Sequence, residues 1–197
     1  MSSREGKRKT FIEICRRAFL LGIQVSTGGN LSLRMDQGRF LVKPTGTSLF
    51  DLHEEDLLIC DPDGRVISGN GRPTKELNAH LKVYRVREDV GGIVHYHPPY
   101  ATAFAVCGKE IPLKTLHAQR ILGEIPVIPA EKEGSGALAS AIEEAFSDPN
   151  LRAVILADHG IMAVGTDLLQ AQNLAELVEE TAKIALLSLS AARCGRT

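Results

Sequence analysis

A chain of 197 residues with 44% hydrophobic side chains is long enough to bury one sizeable core, and a single domain over residues 1–197 is expected. With 23 basic and 24 acidic residues and a formal net charge of -1, it has no global attraction for nucleic acid or an anionic membrane, so a charged ligand has to be held by local groups. No apolar run nears the roughly 20 residues that span a bilayer, and the opening Met1-Ser2-Ser3-Arg4-Glu5-Gly6-Lys7 lacks the apolar stretch of a secretory signal, so a cytoplasmic protein is expected.

Phe11, Ile12, Ile14, Cys15, Ala18, Phe19 and Leu21 recur at helical spacing among Lys9, Glu13, Arg16 and Arg17, which predicts an amphipathic helix from about Lys9 to Leu21, ended by Gly22. Ser26-Thr27-Gly28-Gly29-Asn30 is a loop of small residues that can aim backbone N–H groups at an anion. The alternating strand Leu31–Arg34 follows, and a turn at Asp36-Gln37-Gly38 pairs it with Arg39–Lys43. Pro44-Thr45-Gly46-Thr47-Ser48 then repeats the composition of the first loop. Each loop alone reads equally as a plain turn. Asp56–Cys60 and Arg65–Ile67 are strands around a turn at Asp61-Pro62-Asp63-Gly64. Thr74 is a suitable N-cap for a helix from Glu76 to Arg87, in which Glu76 and His80, four apart, share a face.

The sequence is most informative around His95-Tyr96-His97. Side chains two apart on a strand share a face, so both imidazoles can reach one ion. Zinc in catalytic sites usually takes three protein ligands and keeps an open position, so a third ligand is needed. His159 is the candidate, because it follows the apolar run Val154-Ile155-Leu156 and precedes Gly160, as at a strand end. The alternative for each histidine is a hydrogen bond to backbone or plain solvent exposure. Glu76 has two readings as well, a ligand or base near a metal, or a solvated carboxylate favoured by the helix dipole.

The remaining predicted elements are a helix from Tyr100 to Val106 after Pro98-Pro99, an extended Ile125–Pro129, a helix from Ala137 to Phe146, strands Ala153–Ala157 and Ile161–Val164, and a long helix from Asp167 to about Ala192. Their sum is a layered α/β domain with a mostly antiparallel sheet and helices on its faces. Cys15, Cys60, Cys107 and Cys194 are scattered, form no Cys-x-x-Cys pair, and read as small apolar residues.

Taken in order, Thr27-Gly28-Gly29-Asn30-Leu31-Ser32, Pro44-Thr45-Gly46, Arg72-Pro73-Thr74-Lys75-Glu76 with His80, Val94-His95-Tyr96-His97 and His159-Gly160 resemble the class II aldolase/adducin family over nearly the whole chain. The resemblance implies a three-layer α/β/α fold around a central, mostly antiparallel sheet. It implies His95, His97 and His159 as ligands of Zn2+, with Mn2+ or Co2+ also accepted by imidazoles, and Glu76 as the acid/base. Gly29, Asn30, Thr45, Gly46, Thr74 and Lys75 would hold the phosphate of a small phosphorylated sugar, in a homotetramer with sites at subunit interfaces.

The activity implied is a fuculose-1-phosphate-like aldolase, a lyase that cleaves a ketose 1-phosphate into dihydroxyacetone phosphate and an aldehyde through an enediolate. Lys75 departs from that branch and resembles the branch that decarboxylates 3-oxo-tetronate 4-phosphates. An adducin-like interaction domain without catalysis is the third reading. The aldolase branch also places a proton-donating Tyr near the position of Leu116. Here only His117 adjoins it, and that residue reads equally as a surface histidine.

Overall fold

The computed structural model describes residues 4–194, with side chains for 5–192. Met1–Ser3 of the opening segment and the side chain of Cys194 lie outside the described residues. In chain order the elements are α1 (Arg4–Leu20), β1 (Asn30–Arg34), β2 (Phe40–Val42), β3 (Leu58–Cys60), β4 (Val66–Ser68), α2 (Leu77–Val86) and β5 (Gly92–Tyr96). They continue with α3 (Pro99–Val106), α4 (Leu116–Leu122), β6 (Val127–Ile128), α5 (Gly136–Phe146), β7 (Ala153–Leu156), β8 (Gly160–Gly165) and α6 (Leu168–Cys194). The strands form one eight-stranded sheet in the order β4-β3-β2-β1-β5-β8-β7-β6. Every pairing is antiparallel except β6 with β7.

Strand alternation divides the interior into two cores. Leu31, Leu33, Leu41, Val94, Tyr96, Ile155 and Ile161 face one side, where they pack with residues of α1, α3, α4 and α6. Phe40, Val42, Ile93, Val154, Met162 and Val164 face the other, where they meet Leu77, Leu81, Tyr84, Leu138, Ile142 and Phe146 of α2 and α5. This is the expected three-layer α/β/α arrangement. Since Ile93 faces α2 and Val94 faces away, His95 falls on the α2 face, as do Asn30 and Ser32 between the oppositely directed Leu31 and Leu33.

Three local expectations are corrected. Thr74 is not the N-cap of α2. Glu76 holds that position with φ -92° and ψ 4°, while Thr74 accepts from the Glu76 N–H through Oγ1 (3.3 Å) and from the Leu77 N–H through its carbonyl (3.2 Å). The carboxylate thereby leaves from the mouth of the helix and not from its side. Helix α1 starts five residues before Lys9, because its first turn is polar and carries no apolar period to read. Helix α4 was not anticipated, yet its ends are marked. The Thr115 side chain accepts from the Ala118 N–H (3.2 Å), and Gly123 closes the helix at φ 71°.

Of the cysteines, Cys15 and Cys60 are buried free thiols and Cys107 is exposed. Among the described residues, no helix is long and apolar enough to cross a membrane.

Candidate metal centre and anion loops

Three histidines and one carboxylate converge at the end of β5. His95 sits in mid-sheet, paired with Asn30 on β1 and Met162 on β8. His97 is the first residue past the strand. Its backbone N–H donates to Gln24 Oε1 (2.8 Å), and the buried Gln24 fixes where that residue leaves the sheet. His159 lies in the turn between β7 and β8, where Asp158 adopts φ 57° and the His159 N–H donates to the Leu156 carbonyl (3.1 Å). Gly160 lets the two strand ends close on one another: a Cβ there would stand 2.3 Å from the Tyr96 carbonyl oxygen and 2.8 Å from His97 Cδ2. The sequence motif His-Gly is therefore a packing requirement for the site.

The imidazoles present lone pairs to one another. His95 Nδ1 lies 2.9 Å from the Ile161 carbonyl, which can only accept, so Nδ1 carries the proton and Nε2 is left with its lone pair. That nitrogen stands 3.0 Å from His97 Nε2 and 3.3 Å from Glu76 Oε2. Glu76 Oε1 is 3.3 Å from His159 Nε2 and, although buried, has no hydrogen-bond partner. One ring nitrogen from each of His95, His97 and His159 falls within 4.8 Å of the others. Nitrogens bound to one zinc at about 2.0–2.1 Å stand roughly 3.3 Å apart in tetrahedral geometry, so this donor set fits a divalent cation with little rearrangement.

Electrostatics favour the same reading. Burial holds His95 well below the usual imidazole range, and the neighbouring His97 and His159 push it further down. Burial also lowers His97, with His159 adding to it, while Glu76 and Glu133 pull the other way. Neutral imidazoles are the metal-binding form.

The carboxylate has its own support. Asn30 Nδ2 donates to Glu76 Oε2 (3.1 Å), which ties β1 to the mouth of α2. His80, on the next turn of α2, does not join the imidazole cluster. Tyr84 Oη donates to the Ser32 carbonyl (3.0 Å), so the Ser32 hydroxyl donates to Tyr84 Oη (2.9 Å), and His80 Nδ1 in turn donates to Ser32 Oγ (2.7 Å). Complete burial lowers His80 to about 3, so this network is locked with a neutral imidazole.

Of the residues expected to hold a phosphate, Asn30 opens β1 and Gly29, Thr45, Gly46, Thr74 and Lys75 lie outside the strands and helices. Pro44 and Pro73 form an isolated antiparallel bridge, and the Thr45 N–H donates to the Arg72 carbonyl (2.9 Å), which sets Thr45 against Arg72 and ties the 44–48 loop to the segment that leads into Thr74-Lys75. Lys43, almost fully buried, donates to the carbonyls of Thr27 (3.3 Å) and Pro44 (3.4 Å) and so joins the glycine loop to its neighbour. Thr45, Gly46 and Lys75 are exposed. Asn30 differs from the others, since its amide is turned to Glu76.

Gln24, Lys43 and Glu133 were not singled out from sequence, and Ser32 appeared there only as part of the Thr27–Ser32 motif. Lys43 alone carried a signal, as a lysine continuing an otherwise apolar strand. His117 lies exposed on α4 and borders a groove with Leu21, Glu176 and Lys183 on the α1/α6 side of the molecule, apart from the imidazole cluster.

Residues 9–186 match the family described as Class II Aldolase and Adducin N-terminal domain. An L-fuculose phosphate aldolase of Methanococcus maripaludis is 37% identical over 174 residues, which cover 88% of this chain and 93% of that one. A 3-oxo-tetronate 4-phosphate decarboxylase of Haemophilus influenzae is 34% identical over 186 residues, covering 90% and 86%. The crystal structure of L-fuculose-1-phosphate aldolase from Thermus thermophilus superposes with a TM-score of 0.87 at 29% identity, with 98% of this chain and 100% of that chain covered.

Proposed function

We propose, from the premise that the chain belongs to the class II aldolase and adducin family, that it is a metal-dependent lyase cleaving a ketose 1-phosphate of the fuculose 1-phosphate kind into dihydroxyacetone phosphate and an aldehyde. The observation that carries this reading is the buried Glu76 carboxylate standing 3.3 Å from Nε2 of both His95 and His159. It sits where a proton has to be moved beside a cation. His95, His97 and His159 are proposed as the ligands, of zinc first and of manganese or cobalt as alternatives. A divalent ion held there would act as a Lewis acid on the negative charge that develops as a carbon–carbon bond breaks.

The chain's own residues supply the rest. Glu76 delivers or removes the proton at the carbon that becomes C3 of dihydroxyacetone phosphate, a task for a positioned carboxylate. The Asn30 amide fixes its orientation. Gly29, Asn30, Thr45, Gly46, Thr74 and Lys75 hold the phosphate end, with Lys75 contributing charge and the loops contributing backbone N–H groups. The likeness further supports one cytoplasmic domain over residues 1–197 that assembles as a homotetramer with sites at subunit boundaries. Exposed Leu20, Leu21, Val25 and Phe50, adjoining the 26–30 and 44–48 loops in sequence, are consistent with such contacts.

A second reading, decarboxylation of a 3-oxo-tetronate 4-phosphate, is favoured by one observation, the exposed Lys75 directly before Glu76, where it could meet a substrate carboxylate. Purified protein supplied in turn with zinc, manganese and cobalt separates the two. Aldehyde release from fuculose 1-phosphate is expected. Carbon dioxide release from the sugar acid as the only reaction would replace the first reading by the second, and a metal-free, inert protein would favour an interaction domain. Glu76→Gln is expected to keep its metal while turnover falls by about 100- to 10,000-fold.

A further inference from the structure

Cleavage of a ketose 1-phosphate needs two proton transfers, one at C3 and one at the C4 hydroxyl, and Glu76 serves only the first. The chain contains three tyrosines, and none is available for the second. Tyr84 is bound to Ser32, and Tyr96 donates to Gln172 Oε1 (2.8 Å) on the far side of the sheet. Tyr100 packs into that same far core, with the Lys183 ammonium 5.4 Å from its ring centroid. A second carboxylate, however, reaches the site. An oxygen of Glu133 lies within 4.8 Å of a Glu76 oxygen and of a His159 ring nitrogen.

That placement is built into the fold. Gly134 holds φ 69°, and a Cβ there would stand 3.1 Å from the Lys75 carbonyl oxygen, so the loop is laid directly on the peptide preceding Glu76. Ser135 then starts α5, its hydroxyl accepting from the Leu138 N–H (3.1 Å), and α5 packs along α2. Glu133 is therefore held at the open side of the cluster. Glu76 Oε1, buried in a residue only 3% exposed and without a hydrogen-bond partner, is 3.3 Å from His159 Nε2 and so borders the same gap. One carboxylate is enclosed and the other open to solvent.

We infer that Glu133 is the second catalytic carboxylate, the acid/base that serves the C4 hydroxyl while Glu76 serves C3, an assignment that rests on the aldolase reading above. In the cleavage direction Glu133 takes the C4 hydroxyl proton, and the freed O–H pair becomes the second bond of the aldehyde carbonyl. The C3–C4 pair moves into C2–C3, and the C2 carbonyl pair is displaced onto its oxygen. Glu76, in its acid form, then adds a proton to C3 as the C2 carbonyl re-forms. One proton leaves oxygen and one is added to carbon, and release of the proton gained by Glu133 with uptake of one by Glu76 resets the pair, so no further reactant enters.

The two roles separate in a half-reaction. Exchange of the C3 proton of dihydroxyacetone phosphate in heavy water needs Glu76 alone, whereas cleavage of fuculose 1-phosphate needs both groups. Glu133→Gln is expected to keep its metal content and to exchange within about threefold of the unsubstituted protein, while cleavage falls by about 100-fold or more. Glu133→Asp should recover part of the loss, and His117→Gln should cleave normally. Cleavage by Glu133→Gln at the unsubstituted rate, or loss of exchange or metal in parallel with cleavage, overturns the assignment alone. An unsubstituted protein that neither exchanges nor cleaves overturns the aldolase reading and this assignment with it.

Discussion

The imidazole cluster and the anion loops lie side by side yet are held in place by different means. His95 is fixed by two strand pairings and by its Nδ1 bond to Ile161, and Glu76 by the mouth of α2 and the Asn30 amide. Thr45, Gly46, Thr74 and Lys75 have no strand on either side of them. Thr45 is held by the Pro44–Pro73 bridge, its N–H bond to the Arg72 carbonyl and the Lys43 ammonium on Pro44, while Thr74 and Lys75 are held by the mouth of α2 and the contact of Gly134. The cluster is thus a property of the sheet, and the loops are a property of bonds between neighbouring segments, among which Lys43 joins the 26–30 loop to Pro44. A reacting centre tolerates little misplacement, whereas a phosphate is gripped by several donors and bears small shifts, so the two regions should respond to substitution in separate observables.

His95→Ala should break the cluster most completely. It removes the ligand whose tautomer is fixed by the Ile161 carbonyl, and metal content and turnover are expected to fall together, turnover by a thousandfold or more on the order of the several kcal/mol a Lewis acid supplies. The loops should be untouched, so a phosphorylated ligand should still protect the apoprotein from thermal unfolding. A variant retaining full metal by elemental analysis would remove His95 from the ligand set and dissolve the distinction between the regions.

Lys43→Met sharpens the comparison from the other side. Met preserves bulk against the core and deletes the ammonium, leaving the Thr27 and Pro44 carbonyls without that donor, a loss of about 1–3 kcal/mol for the buried Pro44 carbonyl and less for Thr27, which water can reach. Part of this should appear as a rise in KM for the phosphorylated substrate of roughly tenfold, with metal content unchanged. Metal loss at unaltered KM would reverse the assignment and make Lys43 a support of the cluster. Burial also depresses the Lys43 ammonium from its ordinary value, with Cys15 opposing.

What could be read from sequence follows the same division. His95 on a strand and His159 beside a strand end were legible because period-two alternation fixes the face and glycine fixes the close approach, whereas His97, expected on the same strand, lies one residue past its end and is placed by Gln24. A layered α/β domain was legible because turn-linked strands alternate with amphipathic helices, while the three-layer order came with the family resemblance. Lys43, Gln24 and Glu133 were not, because each acts on a segment remote in sequence. Lys43 bonds Thr27, Gln24 bonds His97, and Glu133 comes to Glu76 only through the contact of Gly134 with Lys75. Short α4 escaped because seven residues hold too few apolar positions to show a period.

The smallest expected effect concerns pH and tests whether acid sensitivity belongs to the cluster side alone. Burial holds His80 to about 3, while in the unfolded chain it titrates near its ordinary 6.5. As pH falls below 6.5 the unfolded chain takes up a proton that the folded protein refuses, so stability is fully present above 6.5 and is lost progressively down to about 3. His95 and His97, also held low by burial, act in the same direction. The contribution of His80 is therefore isolated as a difference between metal-free wild type and His80→Gln, in which the amide can still donate to Ser32. Urea unfolding at a series of pH values should give a shallower acid slope for the variant, by at most about 1.4 kcal/mol per pH unit for the one proton removed. Parallel slopes would mean that His80 exchanges protons freely in the folded state, and the Ser32–Tyr84 network would then lose its place among the fixed supports of Glu76.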